Sequence, residues 1–187
     1  MFGALLENVP NTMKEIYNTL FKKVSEKGYQ PKRRNVSINI TVAGYSVDLV
    51  PAKRQNGYGE DHSLYRRRAD SWTKTNVTTH INHVMSSGCS GEIRIIKLWR
   101  DQKGLDFPSF YLELTVIKAL VGAGGTVSQR VWKVFQYLRD TFPTARFVDP
   151  ANTNNIVSDD LTAAERSKIR AAAAEALNAK DWSQIVK

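Results

Sequence analysis

Two short runs of alternating residues constrain this chain more than any other feature. Val36, Ile38, Ile40 and Val42 alternate with Ser37, Asn39 and Thr41, and Tyr45, Val47 and Leu49 alternate with Ser46 and Asp48. A period of two puts the apolar residues of each run on one face, and Ala43-Gly44 supplies a two-residue turn, so the pair reads as a β-hairpin. Pro51 closes the second strand. A lone hairpin is marginal in water and needs further strands or a helix against its apolar face. No later run alternates clearly, so partner strands are expected from outside this chain.

A helix of period 3.6 precedes the hairpin. Met13, Ile16, Tyr17, Leu20, Phe21 and Val24 form one apolar face over 12–27, Thr12 and Glu15 have capping-box spacing, and Gly28 is placed to stop it. The stretch 55–74 is polar and loop-like. Helices are then predicted over 76–86, 91–103, 108–121, 126–142 and 162–179, with Gly104, Pro108 and the Thr162/Glu165 pair as punctuation. The turn-rich segment 143–161 reads as loop. The predicted class is α+β: a helix and hairpin over 1–54, then a helical domain over 55–187.

Composition narrows the function classes. No stretch approaches the roughly 20 apolar residues of a membrane helix, and Met1 to Leu6 lacks a basic leader region, so no membrane partner or secretory route is expected. The single Cys89 allows no intramolecular disulfide, which suits a reducing cytoplasm. His62 and His83 show no metal-ligand spacing. The net charge of +9 points to phosphate-bearing partners such as nucleotides, and admits nucleic acid. The Arg66-Arg67-Arg68 run is read as a solvated loop, with a polyanion site as the alternative.

Five segments in order carry a resemblance. They are Tyr45 to Pro51; Ser71-Trp72-Thr73-Lys74-Thr75-Asn76 on to His80; Ile95 to Arg100; Phe107-Pro108-Ser109-Phe110 on to Leu114; and Asp149-Pro150 with Asn154-Asn155. The ordered set resembles the second half of the cGAS/DncV-like nucleotidyltransferases (CD-NTases) of bacterial antiphage signalling and, more distantly, oligoadenylate synthases and archaeal CCA-adding enzymes. The resemblance implies a polymerase-β-like palm followed by a helical domain. It also implies joining of nucleoside triphosphates into a cyclic di- or trinucleotide messenger, with two Mg²⁺ (or Mn²⁺) held by three carboxylates.

Carried over residue by residue, the resemblance makes Asp48 the third metal-binding carboxylate. Lys97 would contact the triphosphate, Ser109 would sit at a phosphate-binding helix start, Phe110 would lie against the nucleobase, and His80 would touch phosphate. Each has an ordinary alternative. Asp48 can be an edge-blocking acid, Lys97 a snorkelling lysine, Ser109 a helix cap, Phe110 a core residue and His80 a surface residue of a capped helix. Glu113 is expected to be structural.

The family's Asp-x-Asp motif and its Gly-Ser turn find no match. Met1 to Asn11 carries neither, and Asp159-Asp160 lies before a helix. The expectation is a chain that begins after that strand, or has it altered to Met1-Phe2-Gly3-Ala4-Leu5. Such a chain alone would be inactive, with metal bound only when another chain or segment supplies the missing carboxylates. The alternative is a fragment that holds a nucleotide or polyanion, or docks a partner, without chemistry.

Overall fold

The computed structural model describes residues 12–55 and 60–187; the reading of an altered strand at Met1 to Leu5 lies outside them. The chain divides into two compact units, Met1–Val77 and Thr78–Lys187.

The first unit is built on α1 (Met13–Glu26). Thr12 and Glu15 close a reciprocal capping box, with Glu15 N–H on Thr12 Oγ1 at 3.2 Å and Thr12 N–H on Glu15 Oε2 at 2.7 Å. At the other end Gly28 takes φ +86°; its N–H bonds Ser25 O, and the N–H of Tyr29 bonds Val24 O, the paired bonds of a Schellman stop. A first sheet follows in the order β1 (Lys32–Arg33), β2 (Ile38–Val42), β3 (Tyr45–Leu49), all antiparallel. Ala43 and Gly44 both adopt positive φ, as a two-residue hairpin turn demands. Ile38 and Ile40 are buried and, with Val47 and Leu49, pack on Tyr17, Leu20, Phe21 and Val24 of α1. The helix answers the hairpin's need for cover.

A second antiparallel sheet corrects the reading of 55–74 as loop. It has the order β4 (Ala52–Arg54), β5 (Asp61–Arg66), β6 (Ser71–Asn76). The pattern hid it because these strands bury little: Tyr65 and Thr75 are their only fully buried residues among those described, so no apolar alternation marks them. Thr73 and Thr75 with Tyr65 and Trp72 instead supply β-forming side chains. Strands beyond the hairpin are thus part of this chain. Tyr65 meets Tyr17 edge-on at 5.5 Å, joining this sheet to α1.

The second unit is helical: α2 (Val77–Ser86, beginning at the boundary), α3 (Ser90–Gln102), α4 (Ser109–Ala119), α5 (Val127–Asp140) and α6 (Ala163–Leu177). Its core gathers Ile96 and Trp99 of α3, Tyr111, Leu112 and Val116 of α4, Val134, Phe135 and Leu138 of α5, and Ile169 and Ala173 of α6. Capping boxes open α5 at Thr126/Gln129 and α6 at Thr162/Glu165. The turn-rich 143–161 segment contains a small antiparallel ribbon, β7 (Val148–Asp149) with β8 (Asn152–Ile156). Among the described residues no helix is long and apolar enough to cross a membrane. The whole is α+β.

Candidate nucleotide site

Asp48 belongs to the first unit; Lys97, His80, Ser109 and Phe110 belong to the second. On β3 the alternation that buries Val47 and Leu49 turns Asp48 to the opposite, exposed face. Its register partner on β2 is Asn39, whose Nδ2 donates to Asp48 Oδ1 at 3.0 Å and to Ser46 Oγ at 2.9 Å. Asp48 is therefore a rigidly based, solvent-facing oxygen donor, of the kind a divalent cation accepts. Among the described residues, no group of three or more His, Cys, Asp or Glu is placed to hold a metal. Asp48 fits one ligand position, and the described residues alone do not build a site for an ion pair.

In the second unit α3 and α4 run antiparallel, joined by two polar rungs. Lys97 Nζ pairs with Glu113 Oε1, and Arg100 Nη1 donates to Ser109 Oγ at 3.0 Å and to Phe107 O at 2.9 Å. Both members of the first rung are partly exposed. Ser109 is the first residue of α4, directly after Pro108, which supplies no side-chain cap, and the Arg100 guanidinium that reaches Ser109 also pairs with exposed Asp101 at 2.9 Å.

Phe110 is half-buried, and its ring is stacked on His80 of α2 with centroids 3.9 Å apart and planes 22° apart. His80 Nε2 lies 2.7 Å from Asp149 Oδ1 on β7. Asp149 is buried, 2% exposed, and its Oδ1 also accepts from Ala151 N–H at 2.8 Å while Oδ2 accepts from Asn155 Nδ2 at 3.1 Å. Burial by itself pushes this carboxyl up; the hydrogen bonds from His80, Asn155 and Ala151 outweigh it and hold the group below the usual carboxylate range.

So the structure joins His80 to Phe110, places Ser109 beside Phe110 in the chain, and puts Lys97 on the neighbouring helix one rung away. Glu113, expected to be structural, is the direct ion-pair partner of Lys97. Sequence reasoning missed the roles of Arg100, Asp149 and Asn155. The bond from Asp149 to the N–H two residues on is foreshadowed by its Asp-Pro-Ala turn, but no local signal links it to a histidine 69 residues away.

No protein-family model matches the sequence, and no curated protein matches it at a significant level. Solved structures do match in fold. The structure of CdnC from E. coli MS115-1 with ATP aligns over 95% of this chain and 68% of its own, with a TM-score of 0.67 and 19% identity. CdnC in its complex with HORMA-deltaN aligns over 94% of this chain and 67% of its own, with a TM-score of 0.64 and 19% identity. A mutant of the Vibrio cholerae di-nucleotide cyclase DncV, in a complex that includes ATP and GTP, aligns over 89% of this chain and 54% of its own, with a TM-score of 0.54 and 15% identity. This chain has the polymerase-β-like fold of the bacterial CD-NTases.

Proposed function

We propose that the chain is part of a cyclic-oligonucleotide synthase, joining nucleoside triphosphates into a cyclic di- or trinucleotide messenger of antiphage signalling, and that its second unit binds the nucleotide. The observation that carries this reading is the cluster on α2, α3 and α4. A helix start at Ser109 joined to Arg100, a lysine at Lys97 and an aromatic pair at His80 and Phe110 lie on a fold shared with an ATP-bound CdnC. Phosphates suit the first two and a nucleobase the third.

The reaction class fixes what else is needed. The 3′-hydroxyl of one nucleotide attacks the α-phosphate of another, and pyrophosphate leaves. Two Mg²⁺ or Mn²⁺ ions, when bound, supply charge neutralisation and alignment. Asp48 offers one ligand to them. Turnover therefore requires further carboxylates brought to Asp48 by another chain or segment. That no group of three or more His, Cys, Asp or Glu among the described residues is placed to hold a metal favours a second reading, nucleotide binding without chemistry.

The two readings separate in one assay. Purified chain is incubated with all four NTPs and Mg²⁺ or Mn²⁺, and pyrophosphate and cyclic products are measured. We expect none from the chain alone, and turnover sensitive to Asp48→Asn once an Asp-x-Asp-bearing partner is added. Turnover by the chain alone that Asp48→Asn abolishes would overturn the incomplete-site reading. No turnover under any condition, with ATP still bound, would leave the binding module.

A further inference from the structure

The chemistry around Asp149 exceeds what its turn requires. An Asx turn at 149–151 needs one side-chain oxygen to accept the Ala151 N–H, and asparagine serves that purpose as well as aspartate. The contact with Asn155 does not demand a carboxylate either. Asn155 Oδ1 is buried and has no hydrogen-bond partner, so rotating that amide would let it accept from an amide at position 149. His80 is the remaining partner. Its Nε2 approaches the same Asp149 oxygen at 2.7 Å, within the range of a charge-assisted bond, and the carboxylate is 2% exposed. Burying a carboxylate is costly and is sustained only by good partners.

We propose that Asp149 is a positioning residue for His80. It holds the proton on Nε2, fixes the rotation of the imidazole over Phe110, and so leaves Nδ1 as the nitrogen that faces a bound nucleotide. The inference rests on the nucleotide-binding reading given above. The geometry explains why both outer contacts are needed. Stacking at 3.9 Å fixes the plane of the ring but not which edge points where, because the plane is the same after a 180° flip. The hydrogen bond to Asp149 removes that freedom. A carboxylate can only accept, so it selects one tautomer, as carboxylates behind metal- and substrate-binding histidines do. Asn155 and the Ala151 N–H in turn hold the carboxylate, forming a chain of contacts from β7 and β8 to the face of α4.

The test uses the full chain with ATP as the probe, by titration calorimetry, beside ¹⁵N NMR of the His80 ring. In the wild-type protein the ring should show Nε2 protonated and bonded, with no exchange between tautomers. An Nδ1–H tautomer or an exchange-averaged ring overturns the proposal without any variant. Asp149→Ala, which removes the acceptor facing Nε2, should weaken ATP binding by up to about tenfold, the net worth of one hydrogen bond. The ring should then lose its single-tautomer signature, whereas Asp149→Asn, whose oxygen still faces Nε2 once the Asn155 amide flips, should keep it. His80→Ala should cost a similar factor, and the double variant no more than either alone, since one contact is being removed. An effect of His80→Ala with none from Asp149→Ala overturns the positioning role alone. Unchanged affinity in His80→Ala overturns the nucleotide reading of His80, and the positioning role falls with it.

Discussion

The ammonium of Lys97 and the carboxylate of Glu113 are each partly exposed, and one turn of α4 separates Glu113 from Ser109. On the proposed nucleotide-binding reading, a phosphate at Ser109 would compete with Glu113 for the lysine. Lys97→Ala should weaken ATP binding by about 1–3 kcal/mol, the usual loss for one charge-assisted contact. Glu113→Gln, which releases the lysine, should leave affinity equal or raise it. Calorimetry on both variants decides the matter; equal affinity in wild type and Lys97→Ala would make the lysine a surface partner of Glu113 and nothing more. Asp149 makes a different prediction, about acid. Its folded carboxyl lies below its ordinary value, so it adds stability above about pH 4, the unfolded value. That contribution is lost as pH falls through the lower folded value. Asp149→Asn should therefore flatten the acid side of a stability-versus-pH profile while lowering the plateau; a profile parallel to wild type would show the carboxylate is not linked to folding.

At the scale of elements, the legible parts of the sequence are those where one force acts alone. The predicted helices 12–27, 126–142 and 162–179 correspond to α1, α5 and α6 within a residue or two at each end, because apolar period and end signals agree there. The hairpin was legible for the same reason. The β4–β6 sheet was not: its strands are short and polar, and what stabilises them is pairing with one another, which residues 52 and 64 cannot announce separately. At the site, Phe110 and Ser109 were visible through the start of α4, whereas the Asp149–His80 pair depends on a return of the chain that no local pattern encodes. The end of α1 offers a clean test of the local signals. Gly28 sits at φ +86° with open space around the position of a side chain, so Gly28→Ala meets no clash and tests backbone strain alone. It should cost about 1 kcal/mol in urea unfolding, and Gly28→Asn less, since asparagine tolerates the left-handed region. No loss in either variant would mean that the Schellman bonds contribute little to α1.

For the whole molecule, the two units differ in what holds them. In the second, the core runs continuously through α3, α4, α5 and α6, with Trp99, Tyr111, Phe135 and Phe142 all fully buried. Rings there touch at centroid distances of 5.1 Å between Trp99 and Phe135 and 5.4 Å between Tyr111 and Phe142. In the first, the buried hydrophobic cluster among the described residues is Tyr17, Ile38, Ile40 and Tyr65, built on one helix. Burial stabilises in proportion to apolar area, at about 25 cal/mol per Å², so the helical unit has much the larger reserve. The first unit compensates with directed bonds. The Tyr17 hydroxyl reaches both Arg34 O at 2.9 Å and Ser37 O at 3.0 Å, and the Arg67 N–H bonds Asn35 O at 2.8 Å, tying the loop before β2 to the end of β5. Such bonds each contribute only about 0.5–1.5 kcal/mol net. Native-state hydrogen exchange should therefore find the amides of Ile38–Val42 opening at a lower free energy than those of Val127–Asp140. Adding a saturating Asp-x-Asp-bearing partner should protect the first set selectively if, as the proposed function requires, the further carboxylates are brought to Asp48. Equal protection of both units in the isolated chain would show that the first unit opens only when the whole molecule does, and Asp48 would then stand on a frame as rigid as the helical core.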